Sequence, residues 1–129
     1  MLCYQGKEGV FKMKFKADIT LKKWGSEETV VNESFRDTCL KILKMDIFKQ
    51  TSWHYHAKKE SYFYIFSGEV SIHISDVDNL NLAHIELLKQ GDCIFVGVNQ
   101  RHMITAMKES VLLELSSFDD QFDKTIVPH

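Results

Sequence analysis

Three histidines and a glutamate have the residue types and the spacing of a metal site. His54 and His56 stand two apart, Glu60 follows them, and His102 comes after a turn at residues 97–101. Residues two apart on a β-strand project to the same face, so both members of the histidine pair can point into one cavity. Neutral imidazoles and a carboxylate suit Zn, Mn, Fe or Ni. We therefore predict that these four side chains bind a divalent metal ion, whose identity the sequence leaves open.

The elements that would position these residues are short strands. Strand-like segments recur at regular intervals between residues 38 and 116, and neither a long helix nor a repeat interrupts them. Such a pattern predicts an all-β chain folded as an antiparallel barrel or sandwich. The alternative to a metal site is a set of histidines that only form hydrogen bonds in the mouth of this barrel.

The N-terminal part is predicted to carry strands of its own. Residues 10–18 alternate apolar and charged side chains, which predicts a half-buried strand. Its lysine face suits an exposed sheet edge. The alternative is that this edge pairs with a second copy, which leads us to expect a homodimer. Residues 21–28 are expected to form a turn in which Trp24 closes the end of the core.

The segment at residues 39–49 changes its apolar phase. Leu40 and Ile42 stand in one phase, and Leu43 and Met45 stand in the other. The change predicts either a bulge or a strand that is buried on both faces.

Length, charge and cysteine content narrow the function classes. The 129 residues fit one domain, and the net charge of −2, with 14 lysines and two arginines, gives no nucleic-acid footprint. The chain shows neither a signal peptide nor an apolar run of membrane-spanning length. Three cysteines, Cys3, Cys39 and Cys93, have no Cys-x-x-Cys spacing, which is typical of reduced thiols. We expect a cytoplasmic protein that binds neither a membrane nor nucleic acid.

Two motifs in the chain resemble those of the cupin superfamily. The first, Gly-x5-His-x-His-x3,4-Glu-x6-Gly, is matched by His54, His56, Glu60 and Gly68. The second, Gly-x5-Pro-x-Gly-x2-His-x3-Asn, has its anchors at Gly91 and His102. The resemblance implies the cupin double-stranded β-helix, a jelly-roll barrel. It also implies one cupin domain over residues 1–129: N-terminal strands and a Trp-Gly segment in 1–37, the barrel in 38–116 and a tail in 117–129.

The chain departs from these motifs at several positions. Phe48 and Asn99 replace glycines, Gly97 replaces the proline and Ala106 replaces the asparagine. Asn99 still tolerates a left-handed turn conformation, so the turn is expected to survive.

The spacing after Glu60 is one residue longer than the motif allows, and counting back from Gly68 puts Ser61 at the carboxylate position. Because strand side chains alternate, this offset decides which set faces the cavity. If Glu60 points inward, Tyr62 and Tyr64 follow it; if Ser61 does, Phe63 follows. A bulge near residues 58–61 would reconcile the two, and we expect Glu60 to be the ligand.

Within the cupins, the Lys23-Trp24-Gly25 segment and the acidic tail resemble small sugar cupins such as the barrel of type II phosphomannose isomerases. This resemblance implies a metal-dependent sugar or phosphosugar isomerase or epimerase with a small-molecule substrate. One alternative is a non-enzymatic cupin that binds a small ligand. Another is a metal-dependent dioxygenase of a small organic acid; the cupin thiol dioxygenases typically lack the motif carboxylate, so Glu60 counts against that class.

A sugar isomerase also needs a group that moves a proton beside the metal-bound carbonyl. Tyr62 and Tyr64 are our candidates for this role, and packing is the alternative for each. Arg101 is the only arginine near the site and can clamp a phosphate or carboxylate through two hydrogen bonds. Its alternative is a solvated turn residue.

Overall fold

The computed structural model describes residues 3–4 and 11–129, with side chains from Met13 onward. The described chain folds into strands joined by turns, with one short 3₁₀ turn at Leu80–Leu82. In chain order the strands are β1 (Cys3–Tyr4), β2 (Phe11–Lys12), β3 (Asp18–Lys22), β4 (Gly25–Glu33), β5 (Thr38–Met45), β6 (His54–His56), β7 (Ser61–Ser67), β8 (Glu69–Ser75), β9 (His84–Lys89), β10 (Cys93–Val96), β11 (Arg101–Ala106), β12 (Ser110–Ser116) and β13 (Lys124–Ile126). No helix in this part of the chain is long and apolar enough to cross a lipid bilayer.

The strands form two antiparallel sheets that face each other. The larger sheet has the order β10-β7-β12-β5-β4-β3, and the smaller has the order β13-β6-β11-β8-β9. Strands β1 and β2 form a separate two-stranded ribbon. Successive strands alternate between the two sheets through most of the chain, which is the double-stranded β-helix. The predicted all-β jelly-roll barrel is confirmed.

The core lies between the two sheets and follows the alternation of the strands. On β7 the inward residues Phe63 and Ile65 are buried, and on β11 the inward residues are His102, Ile104 and Ala106. Apolar side chains therefore fill one end of the barrel, and the histidine follows them along the same face of β11. The same strands that build the core present the candidate metal ligand.

The strand predicted over residues 10–18 is wrong in its extent. Strand β2 ends at Lys12, β3 begins at Asp18, and residues 13–17 form no ladder; residue 10 lies outside the described residues. The alternation was correct as a pattern, but a strand needs a partner, and of residues 13–22 only Asp18–Lys22 pair with β4. The turn joining β3 to β4 is shorter than predicted, and its Trp24 packs against the core as expected.

The burial of the two faces of β5 explains the change of apolar phase in its sequence. Cys39, Lys41, Leu43 and Met45 alternate as its inward, buried residues, and its pairing with β12 runs without a shift of register. The outward apolar side chains of β5 are half-buried. One face of β5 is therefore buried and the other half-buried, without a bulge in β5 itself; the bulge lies in β4, between Thr29 and Val31.

Two of the motif glycines are replaced by residues that keep the left-handed backbone. Phe48 has φ of +64° and Asn99 has φ of +62°. The expectation for the Asn99 turn is confirmed. Phe48 adopts a conformation that is strained for an aromatic residue, and its N–H donates to the carbonyl of Ala106 at 2.7 Å.

Candidate metal centre

The three histidines come together because β6 and β11 are neighbours in the smaller sheet. His54 lies opposite His102 in the register of the two strands, and His56 follows on the same face of β6. All three are buried. Trp53 occupies the opposite phase, outside the sheet, where it packs against Met103 and its indole N–H donates to the Asp78 carbonyl at 2.8 Å. This packing holds β6 so that both of its histidines face inward.

The hydrogen bonds of the three rings leave one nitrogen of each ring available. The Nδ1 atoms lie 2.8 Å from the carbonyl oxygen of Ser52 for His54, 3.2 Å from that of Asp123 for His56, and 2.9 Å from that of Gln100 for His102. A carbonyl only accepts, so each Nδ1 carries the proton and each Nε2 keeps a lone pair.

The geometry of the three rings fits a metal ion. Each residue offers one ligand atom, and these atoms lie within 4.8 Å of one another. Metal-binding histidines commonly donate their second ring N–H to a carbonyl or carboxylate, which fixes the tautomer and the ring orientation. The donor set therefore matches Zn, Mn, Fe or Ni bound by three neutral imidazoles.

Burial keeps these histidines neutral. Burial lowers the pKa of His54 to about 2, and charge repulsion from His102 and Lys124 contributes to this shift. Burial and the nearby Lys59 ammonium lower the pKa of His56 to about 4. Burial also lowers the pKa of His102. The three imidazoles are therefore already neutral at pH 7 and can bind a metal ion without first losing a proton.

The structure does not bring Glu60 to the three histidines. Its side chain is exposed, and its backbone N–H donates to the Ser117 hydroxyl at 3.1 Å. The interior phase of β7 begins with Ser61 and continues through Phe63, so these two residues are buried, and Phe63 lines the cavity. The irregularity in β7 lies opposite Val111 and Leu112, at residues 65–67, and not at residues 58–61, so no bulge turns Glu60 inward.

A carboxylate that the motif did not indicate lies inside the barrel instead. Glu114, on β12, is buried; it accepts a hydrogen bond of 2.8 Å from the Ser61 hydroxyl and lies 3.0 Å from the Lys59 ammonium. Burial alone would raise the pKa of Glu114, but the charge and hydrogen bond of Lys59 hold it below the ordinary value. Glu114 is therefore an ionised carboxylate at neutral pH.

Lys59 and Lys41 extend this pair into a network of buried charges. Asp119 lies 3.2 Å from Lys59 and 2.5 Å from Lys41, and Lys41 lies 3.4 Å from Glu27. Burial alone would lower the pKa of Lys59, but its two carboxylate neighbours raise it above the ordinary value. Both lysines therefore keep their charge inside the barrel.

The C-terminal segment contributes directly to the site. The Asp123 carboxylate accepts hydrogen bonds from the backbone N–H groups of Ala57, Lys58 and Lys59, at 3.0 to 3.1 Å. The carbonyl of the same residue accepts from His56, and the strand that follows pairs with β6. Residues 117–129 are therefore part of the barrel wall rather than an appended tail.

The three candidate catalytic residues lie outside the cavity. Tyr62 and Tyr64 project from the outer face of the larger sheet, with 53% and 40% of their surfaces exposed. The Arg101 guanidinium donates to the Asp78 carboxylate at 2.8 Å and to the Asn99 carbonyl at 2.6 Å. It also stacks over the Tyr55 ring at 4.0 Å. The strand phase that excluded Glu60 also excluded the two tyrosines.

The histidines open into a cavity of about 680 Å³. Leu43, Phe63 and Ile104 belong to the core and also line the cavity. Its polar lining combines the three histidines with Lys59, Glu114 and other charged side chains. A volume of this size suits a small-molecule ligand.

The chain was compared with known families, curated proteins and solved structures. No family model and no curated protein matches it. Among solved structures, CapF with the inhibitor 3-isopropenyl-tropolone aligns with a TM-score of 0.76 at 14% identity, over 91% of this chain and 36% of CapF. In a second solved structure, CapF from Staphylococcus aureus is described as a capsular polysaccharide assembling protein.

Two further structures have the same fold. KdgF from Halomonas sp. aligns with a TM-score of 0.68 at 16% identity, over 81% of this chain and 89% of KdgF. Oxalate decarboxylase from Bacillus subtilis aligns with a TM-score of 0.70 at 17% identity, over 86% of this chain and 30% of that enzyme. The chain thus spans about a third of CapF and of the decarboxylase and nearly all of KdgF.

At these identities the comparisons bear on the fold alone. Double-stranded β-helix proteins are among the matches, and the two facing sheets, the histidine pair and the third histidine occupy the positions that the sequence motifs predicted. The chain has the fold of the cupin superfamily.

Proposed function

We propose that His54, His56 and His102 hold a divalent metal ion and that this centre isomerises or epimerises a sugar or phosphosugar. The observation that carries the proposal is the set of three buried Nε2 atoms, each kept free by a hydrogen bond at Nδ1. Three protein ligands leave positions open for water or substrate. A bound metal ion would supply Lewis-acid polarisation of a sugar carbonyl.

The neighbouring structures support a small, oxygen-rich ligand. CapF is named for capsular polysaccharide assembly, and one CapF structure holds a tropolone, which presents two adjacent oxygens. Oxalate, the substrate in the name of the decarboxylase, presents adjacent oxygens as well. Sugars offer the same arrangement in their neighbouring hydroxyl and carbonyl groups.

The proton transfer that an isomerase needs falls to Glu114 in place of Tyr62 and Tyr64. Glu114 lines the cavity, is ionised, and is therefore able to accept a proton. Lys59, 3.0 Å away, holds the carboxylate in position and stays charged. A general base needs a fixed position beside the substrate, and Lys59 fixes Glu114 while making it a weaker base, because it lowers the pKa of the carboxyl.

Elemental analysis and a substrate panel test this proposal. The purified protein is expected to contain about one divalent metal ion per chain, and His54→Ala is expected to lose it. His84→Ala is the matched control, since the His84 side chain is exposed and its one hydrogen bond among the described residues is to Glu86. Turnover of a sugar or phosphosugar by the metal-loaded protein, lost in His54→Ala, is the expected result. No turnover across phosphosugars and nucleotide sugars would contradict the isomerase.

A dioxygenase of a small organic acid is the second candidate. Glu60, which the sequence set against the thiol dioxygenases of the cupin class, has an exposed side chain and does not line the cavity. Oxygen consumption by the Fe(II)-loaded protein with organic acids separates it from the isomerase.

A non-enzymatic binding protein is the third candidate, because none of Tyr62, Tyr64 and Arg101 lines the cavity. For such a protein, His54→Ala removes the metal ion and leaves ligand binding intact.

We also propose that the protein is a homodimer in the cytoplasm. Of the cysteines whose side chains are described, Cys39 and Cys93 are free, which supports a reducing compartment. The outer face of the larger sheet presents an apolar patch that we name the aromatic face, made of Tyr62, Tyr64, Phe66, Phe95 and Leu115. Large apolar patches of this kind mark interaction sites, and a second copy of the chain is its proposed occupant.

A further inference from the structure

The three-histidine site lacks the negative charge that a fourth, carboxylate ligand would supply. Counted back from Gly68, the carboxylate position of the motif falls on Ser61, which is buried and whose hydroxyl donates to Glu114. Three neutral imidazoles leave a divalent ion with its full charge of +2 in a buried place. A buried charge is costly unless a partner compensates it.

Three of the four side-chain carboxylates that line the cavity are paired with lysines. Glu114 is held by Lys59, Asp119 lies between Lys59 and Lys41, and Glu27 faces Lys41 at 3.4 Å. Lys22 adds a third cation, 4.0 Å from Glu27. Three lysines and three carboxylates thus neutralise one another, and the network has no negative charge left for the metal ion.

The cavity also holds two further positive charges. Lys23 and Lys124 line it, and neither has a carboxylate within 4.0 Å among the described residues. Asp120 also lines the cavity; its carboxylate accepts the Phe122 backbone N–H at 3.0 Å and has no lysine within 4.0 Å among the described residues. Five lysines and four side-chain carboxylates therefore line the cavity, and a negatively charged ligand meets a lining with a net positive charge.

We infer that the site takes a carboxylate ligand, such as a sugar acid or a small organic acid, which binds the metal ion through a carboxylate oxygen and an adjacent oxygen. The ligand supplies the anion that Ser61 cannot, and Lys23 and Lys124 attract it. The inference rests on the proposed metal site and names its substrate class. The site is expected to prefer sugar acids to neutral sugars and carboxylates to phosphates.

Calorimetry on the Zn²⁺-loaded protein tests the ligand class directly. D-glucuronate, oxalate, D-glucose and glucose 6-phosphate are titrated, each with and without Zn²⁺. Glucuronate or oxalate is expected to bind roughly tenfold tighter than glucose or better, only with Zn²⁺, because the charges attract in a poorly solvated site. Equal binding of acids and glucose, or binding of glucose 6-phosphate alone, would overturn the inference.

Substitution of Ser61 tests the cause. Ser61→Glu places a carboxylate where the motif has one and is expected to weaken binding of the acid roughly tenfold or more while Zn²⁺ stays bound. Ser61→Ala removes only the hydroxyl and is expected to leave binding of the acid within about twofold. Unchanged binding in a folded Ser61→Glu variant that retains Zn²⁺ would count against the inference.

Lys124→Gln keeps the test decisive if Ser61→Glu does not fold. This variant is expected to weaken binding of the acid several-fold, and the effect should shrink as salt is added, because exposed charges are screened. Binding that does not depend on Lys124 or on salt would contradict the part of the inference that concerns the two unpaired lysines.

The same measurements separate this inference from the proposed function. If the wild-type protein binds no metal ion at all, the proposed function fails first. If it binds Zn²⁺ but shows no preference for acids, only the present inference fails.

Discussion

The hydroxyl of Ser61 donates a 2.8 Å hydrogen bond to the buried carboxylate of Glu114. Ser61 stands at the strand position where a metal-binding carboxylate was expected, and the carboxylate that the barrel does contain comes from another strand. That carboxylate is neutralised by Lys59 at 3.0 Å. The candidate metal centre therefore consists of three histidines, and Glu114 belongs to a separate network of charges.

Breaking the Lys59–Glu114 pair is expected to destabilise the fold strongly. Lys59→Met leaves the carboxylates of Glu114 and Asp119 without this partner, and removing one member of a buried pair costs about 3–5 kcal/mol. The double variant Lys59→Met/Glu114→Gln is expected to recover part of that loss, because the buried charge is removed as well. Urea unfolding of the wild type, both single variants and the double variant measures the coupling. Additive losses would show that the two side chains do not interact.

How much of this site could be predicted is seen by comparing His54 with Glu60. The histidines could be placed because their spacing of two matches the strand period and the second motif supplies His102. Glu60 could not, because moving one residue along a strand changes the face, and the register depends on the pairing of β7 with β12. The same pairing decided that Tyr62 and Tyr64 point outward.

The charged network was beyond prediction for a different reason. Ser61 and Glu114 are 53 positions apart and Lys41 and Asp119 are 78 apart, so only the folded barrel brings them together. A lysine in a strand is also expected to face solvent, since buried charges are rare unless paired. The overall fold, by contrast, follows from the local alternation of many short strands, which needs no knowledge of distant partners.

Asp119 is expected to make stability depend on acidity at low pH. Burial alone would raise its pKa, but Lys59 and Lys41 lower it to about 2. A carboxyl whose pKa is lower in the folded state stabilises the fold above its unfolded pKa, near 3.8, and this contribution is lost as the pH falls toward 2. The slope reaches about 1.4 kcal/mol per pH unit for one proton.

Unfolding of the metal-free protein at pH 5, 4, 3 and 2 measures this slope, with Asp119→Asn as the comparison. The variant is expected to be less stable at pH 5 and to show a shallower decline below pH 4. Asp120→Asn is the matched control, because no lysine pairs with Asp120 among the described residues. Equal slopes in the wild type and Asp119→Asn would contradict the assignment.

Phe48→Gly is expected to stabilise the protein by about 1 kcal/mol. Phe48 is 72% exposed and has φ of +64°, a conformation that costs a residue other than glycine about 1–3 kcal/mol. Glycine removes this strain and loses little packing, although it increases the entropy of the unfolded chain by up to about 1 kcal/mol. The midpoint of urea unfolding gives the change. Asn99→Gly is the matched control with almost no expected gain, since asparagine tolerates the left-handed region. A destabilised Phe48→Gly would show that the ring packs in solution.

The aromatic face is expected to hold two copies of the chain together. Aromatic side chains bury about 150–250 Å² each when covered, so four that are roughly half exposed, with Leu115, offer on the order of 500 Å². A standard interface buries about 800 Å² on each partner, so this patch supplies most of the area a dimer needs. Tyr62 and Phe95 already contact each other with ring centroids 5.0 Å apart, which makes the patch continuous across two strands.

Tyr64→Glu/Phe66→Glu is expected to shift the protein from dimer to monomer, because two charges on each copy would then be buried against each other. Light scattering after gel filtration at several protein concentrations measures the mass. Leu82→Glu is the matched control: it introduces the same charge at another exposed apolar residue, on the loop before β9, and should leave the mass unchanged. A wild-type protein that runs as a monomer at all concentrations would contradict the dimer without touching the metal site, since the aromatic face and the cavity lie on opposite sides of β7.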